Sequence, residues 1–175
     1  TGQKKGVDVR NEIVGNKSVS KYEKEDAVCY VEVLEHIRDV KTFSQANVDA
    51  LKKGGIVGIA VHNNDSFIKL NFASNILNQP PHHMGLWNKK SLQSLTELFP
   101  LRVTFFLFEP IQEYHKQGHK AAVESYYHNY FEKKYLPFAN KVPLFIKFQF
   151  QKIIKKFIDK YFKNGQTILV ICKKY

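Results

Sequence analysis

Residues 26–37 read DAVCYVEVLEHI. The first half is apolar, with Ala27, Val28, Cys29, Tyr30 and Val31 in a row, and the second half carries Glu32, Glu35 and His36. A short continuous apolar run predicts a buried strand covered on both faces. Three ionisable groups within five residues then mark the point where that strand leaves the core.

The chain that follows makes this strand half of a unit. Asp39 or Thr42 is placed to cap a helix running to about Leu51, with Phe43, Ala46, Val48, Ala50 and Leu51 as its apolar positions. The pair Gly54–Gly55 is expected to end that helix. IVGIAV (56–61) follows at once as a second continuous apolar strand. Strand, helix, strand with short connections predicts a parallel α/β unit. In such sheets ligands bind at the carboxyl ends of the strands, where loops and helix N-termini converge. Glu32–His36 lies at one strand end and His62–Ser66 at the next, which predicts a binding crevice there.

Working outward, VDVRNEIV (7–14) reads as a short strand and residues 15–26 as a polar loop. NKKSLQSLTELF (88–99) reads as a helix capped by Asn88, and RVTFFLF (102–108) as a third strand closed by Glu109–Pro110. Residues 111–164 are expected to be mostly helical, broken at Pro137 and Pro143. QTILVICKK (166–174) is a last strand. Residues 1–175 make one α/β domain with 111–164 as a helical insertion, and 43% hydrophobic residues are enough for a core.

No apolar run approaches the roughly 20 residues of a membrane helix, and residues 1–25 are too polar for a signal peptide. Cys29 and Cys172 both sit in strand-like runs, so a pair of buried free thiols in a reducing, cytoplasmic setting is expected. Residues 1–110 have a net charge of +2 and residues 111–175 one of +9, with 13 lysines and no arginine. This basic third is either a solvated lysine face or an attractor of anionic partners. Its lack of arginine argues against reading of nucleic-acid bases. Within it, FQFQKIIKKFIDKYF (148–162) is amphipathic: Phe150, Ile153, Ile154, Phe157, Ile158 and Tyr161 share a face. That stripe is expected to face the core, and a helix lying on a membrane surface has the same pattern.

DAVCYVEVLEHI, ALKKGGIVGIAVHNN, QPPHHMGLWNKKSLQSL and GQTILVICKK together resemble the class I S-adenosylmethionine-dependent methyltransferases, in the branch containing ubiquinone-type O-methyltransferases. There the fourth strand ends in a similar E-V-L-E-H, and a helix closing in L-K-P-G-G precedes the fifth; Lys53 stands here in place of the proline. The resemblance covers about residues 26–109 and 165–175. It implies an incomplete Rossmann-like sheet, strands four to seven of the family, with helices on both faces and a reversed last strand. In that picture strand four is 26–31, strand five 55–61, strand six 102–108 and strand seven 166–173.

The resemblance also implies roles. Val31, Glu32 and Val33 match positions lining the edge of the S-adenosylmethionine site. Glu35 and His36 match an acid and an imidazole facing the acceptor, suited to taking a proton near neutral pH; otherwise Glu35 caps the following helix and His36 packs. His62, Asn63 and Asn64 are expected to orient a small-molecule or glycan-like acceptor, or to form a turn. His82, His83 and Trp87 are expected to wall that pocket, or to strap down a loop. His82 and His83 lack a third ligand at sensible spacing, and His115 with His119 sits among lysines, so no metal site is expected.

The family's glycine-rich loop and its ribose-binding acid are not found, because Gly2, Gly6 and Gly15 do not form G-x-G-x-G. With Met84 the only methionine, the chain reads as a fragment of a larger methyltransferase, binding S-adenosylmethionine weakly or not at all by itself. An unpaired edge on the strand at 26–31 then invites self-association. The competing expectation is a non-catalytic basic module that keeps the sheet and binds an acidic partner or a membrane surface.

Overall fold

A computed structural model describes residues 19, 23–74, 76–135 and 143–175; the strand expected at 7–14 lies outside them. Strand β1 is Glu25–Val31, helix α1 Val40–Asp49, and strand β2 Leu51–His62. Helix α2 is Lys89–Glu97 and strand β3 Leu101–Pro110. The insertion holds helix α3, Lys116–Tyr126, continued by a π-helical turn at Tyr127–Glu132, and then helix α4, Leu144–Tyr161. Strand β4, Asn164–Lys174, closes the chain. The sheet order is β1-β2-β4-β3.

β1 and β2 run parallel, with Tyr30 opposite Ile59 and Val31 opposite Ala60, so both emerge at the same edge. β4 is antiparallel to β2 and β3 and sits between them. This is the reversed last strand that the resemblance implies.

Residues directly paired across strands share a face. Val57, Ile59 and Val61 therefore line up with Cys172, Val170 and Ile168. α1 and α2 cover this face, where Val48, Leu51, Leu92, Leu95 and Phe99 complete a buried core. Both helices start as the sequence predicts. Asp39 accepts from the Thr42 N–H, and Asn88 with Ser91 forms a reciprocal capping box. The 3₁₀ segment Phe67–Ser74 lies against β4. Its Leu70 joins Val123, Tyr127 and Ile158 of the insertion in a second, smaller cluster.

Four expectations need correcting. Gly54–Gly55 does not end the helix: α1 stops at Asp49, β2 is already running at Leu51, and Gly54 has φ +80°. The pairing jumps from Glu25↔Leu51 to Ala27↔Ile56, so the glycines form a bulge in β2. A side chain at Gly55 would meet the Lys52 carbonyl at 2.9 Å and the Asp26 carbonyl at 3.0 Å, and only glycine allows that approach.

Second, β1 is not covered on both faces, since Tyr30 alone is buried and Val31 is 56% exposed. Third, Cys172 is buried but Cys29 is exposed. Fourth, the α4 stripe does not face the core: Ile158 is buried, while Phe150, Ile153, Phe157 and Tyr161 are exposed. α4 docks through its Ile158 edge and turns its larger apolar face outward.

Candidate functional site

The carboxyl ends of β1 and β2 gather the ionisable residues singled out in the sequence. As β1 ends, the Glu32 N–H still donates to the Ala60 carbonyl, at 2.9 Å. Glu32 then takes φ +52°, a conformation sparsely populated by residues with a side chain. That reversal feeds a single 3₁₀ turn, Leu34–His36, in which Leu34 and Glu35 are fully buried. The Glu35 carbonyl accepts from the N–H groups of Met84 (2.7 Å) and Gly85 (3.1 Å), which straps the 82–87 loop across the strand ends. Asp39, not Glu35, caps α1.

His62, the last residue of β2, faces two carboxylates. Its Nδ1 lies 2.6 Å from Glu32 Oε2 and 3.3 Å from Glu35 Oε1. The Glu32 carboxylate first and that of Glu35 second raise the imidazole to about 9, against the effect of burial. Burial alone would raise Glu35, but the His62 bond and other hydrogen bonds outweigh it and bring Glu35 down to about 2. An imidazolium–carboxylate cluster therefore stands at the strand ends at neutral pH.

Two further imidazoles adjoin it. The His83 ring centroid is 4.8 Å from that of His62 and 4.9 Å from that of His36. His83 is buried, and burial, then the charge on His62, lowers its pKa. Its Nδ1 is 3.0 Å from Asn78 Oδ1, and Asn78 Nδ2 donates to Asn64 Oδ1 at 2.7 Å. An amide oxygen only accepts, so His83 Nδ1 carries the proton and Nε2 holds a lone pair. The same reasoning applies to His36, whose Nδ1 donates to the His82 carbonyl at 2.6 Å.

Not every expected residue joins the cluster. Val33 packs against the core and Val31 points to solvent. Asn63 forms a turn, its Oδ1 accepting from the Asp65 N–H. Asn64 acts through Asn78, a residue the sequence reading did not single out because nothing in NILNQPP marks it. The His82 side chain is exposed and contributes its carbonyl. Trp87 packs against the core and its carbonyl accepts from the Asn64 N–H, which ties the loop to the end of β2. The third ligand-type partner that His82–His83 lacks in sequence is supplied by the fold: donor atoms of Glu35, His62 and His83 lie within 4.8 Å of one another. His115 and His119 stand apart, with His119 against Phe67 and Asp159.

Among the described residues, β1 ends at the exposed Val31 and no glycine-rich loop follows a strand.

No family model matches the sequence, and no curated protein matches it. Solved structures do. A SAM-dependent methyltransferase from Archaeoglobus fulgidus is similar at 16% identity with a TM-score of 0.53; the match covers 95% of this chain and 66% of that one. Phosphoethanolamine N-methyltransferase 2 from Haemonchus contortus is similar at 17% identity and a TM-score of 0.44, over 89% of this chain and 36% of that one. The first of these likenesses shows the fold, an incomplete Rossmann-like α/β sheet similar to that of the Archaeoglobus protein, of whose length the chain spans 66%.

Proposed function

We propose that this chain is the acceptor-side part of an S-adenosylmethionine-dependent methyltransferase acting on a small-molecule or glycan-like acceptor. The observation that carries the reading is the gathering of Glu32, Glu35, His36, His62 and His83 at the carboxyl edge of a methyltransferase-type sheet. That edge is where such sheets bind ligands. S-adenosylmethionine, when bound, supplies an electrophilic methyl group on a sulfonium sulfur. Acceptor activation falls to this chain's residues.

His36 is the candidate base. It is exposed, and its Nδ1–H is committed to the His82 carbonyl, which leaves the Nε2 lone pair for an acceptor proton. His62 is unsuited to that role because its two carboxylates keep it protonated; it is instead a fixed cation that holds Glu32 and Glu35 in place. Glu35, through its carbonyl, holds the loop that carries His82 and so sets the orientation of His36.

The test uses the whole gene product that contains this chain, with methyl-labelled S-adenosylmethionine and a panel of hydroxylated small molecules and glycans. Label transfer is expected, and His36→Gln should lower kcat about 10²-fold with the dissociation constant for S-adenosylhomocysteine unchanged. A full-length product that binds no S-adenosylhomocysteine overturns the reading.

A further inference from the structure

We infer that Glu35, His62 and His83 form a binding site for one first-row divalent cation of zinc type. The set is two imidazoles and one carboxylate, the donor chemistry that such ions select over magnesium or calcium. The three residues are far apart in sequence, yet their ligand atoms fall within 4.8 Å of one another.

The geometry suits an ion. Zinc–nitrogen and zinc–oxygen bonds of about 2.0–2.2 Å at tetrahedral angles separate neighbouring ligand atoms by about 3.3–3.5 Å. His62 Nδ1 and Glu35 Oε1 are already 3.3 Å apart. The third ligand, on His83, needs to close by no more than about 1.5 Å to reach the same spacing. Glu32 is not in the set, because its Oε2 lies 2.6 Å from His62 Nδ1, too close for the two to be ligands of one ion. The proton at His62 Nδ1 leaves when the ion takes its place.

Two independent features point to a ligand. Glu35 is fully buried, and its second oxygen, Oε2, has no hydrogen-bond partner. A buried carboxylate oxygen without a partner is costly, and a cation bound to the same carboxylate offsets part of that cost by neutralising its charge. His83 is arranged as metal-binding histidines are: its Nδ1–H is committed to Asn78 Oδ1, which fixes the tautomer and leaves Nε2 free. Asn78 is held in turn by Asn64. With three protein ligands, a tetrahedral ion keeps one position for water or an acceptor oxygen, beside His36.

The inference does not depend on the methyl-transfer reading, and its test does not measure activity. The purified chain is stripped with chelator and titrated with Zn²⁺ by calorimetry, and with Co²⁺ by visible absorption. One equivalent should bind at micromolar or tighter concentration, and Co²⁺ should show the ligand-field bands of a site with fewer than six ligands. His83→Ala and Glu35→Gln should each weaken binding by more than 10²-fold, and Asn78→Ala by about tenfold. His115→Ala, remote from the cluster, should leave it unchanged. Circular dichroism of each variant checks that it folds, and Glu35→Gln keeps the side chain's size where an alanine would leave a hole. Failure of the wild-type chain to bind Zn²⁺, or equal binding by the folded Glu35→Gln and His83→Ala variants, overturns the inference.

Discussion

His62 Nδ1 lies 2.6 Å from Glu32 Oε2, joining the last residue of β2 to the first residue beyond β1. With Glu35 on its other side, His62 is raised to about 9 and Glu35 lowered to about 2. Each shift ties stability to pH. The raised histidine stabilises fully below its unfolded value of about 6.5, and that contribution is lost as pH rises through about 9. The depressed carboxylate stabilises fully above about 4.5, and its contribution is lost as pH falls through about 2. The cluster therefore stabilises the metal-free fold most between about pH 4.5 and 6.5. Because His62 is about a third exposed, the expected loss between pH 6 and 9.5 is discounted to about 1–2 kcal/mol. Urea unfolding with chelator present checks this, with His62→Gln as the reference. A parallel pH dependence in the two proteins would show that the pair contributes nothing.

Gly55 gives a prediction about the bulge. A Cβ there would meet two backbone carbonyls, Lys52 O and Asp26 O, and neither can swing away as a side chain can. Gly55→Ala should cost about 1–3 kcal/mol. Gly54→Ala keeps the space but needs φ +80°, and should cost about 1 kcal/mol. Thermal melts of both variants measure the order, which reverses if Gly54 is the position that matters.

Much of the sheet was legible in the sequence. IVGIAV is buried from Val57 to Val61 and marks a central strand, and the polar residues after each run mark the same edge because parallel strands emerge together. The caps at Asp39 and Asn88 were legible because they are local. The glycine pair was not, since glycine serves a helix end and a strand bulge through the same freedom at positive φ. Nor was the outward face of α4. Ile158 and Phe157 are adjacent apolar residues, and which of the two faces inward depends on Val123 and Tyr127 across the helix pair. In the site, residue types and strand ends were readable. The joining of His62 to Glu35, and of Asn64 through Asn78 to His83, exists only once the 82–87 loop is strapped across them.

The two cysteines should separate cleanly in a labelling experiment. Cys29 is exposed on β1, whereas Cys172 is fully buried and its thiol is pushed up to about 11 by that burial. The thiolate is the reactive form, so a maleimide should modify Cys29 at once and Cys172 only upon unfolding. Mass spectrometry of the native protein should show one adduct, on Cys29. Equal labelling of both would mean that the core around Cys172 opens readily.

The outward face of α4 is the last feature with a measurable consequence. Ile146, Phe150, Ile153, Phe157 and Tyr161 follow one another at helical spacing and are each at least 50% exposed. Exposed lysines at 152, 156 and 160 accompany them, with Asp159 the only acid on the helix. A second copy of this helix would bring like charges together, whereas an anionic bilayer matches both the apolar stripe and the lysines. We expect the chain to sediment with vesicles containing about 30% phosphatidylserine and not with neutral phosphatidylcholine vesicles. High salt should weaken the association steeply by screening the lysines. Phe150→Glu/Phe157→Glu, two exposed positions whose change leaves the Ile158 contact intact, should abolish it. Equal binding to neutral vesicles would rule out the electrostatic component. Concentration-dependent dimers that disappear in the double variant would assign the stripe to self-association instead.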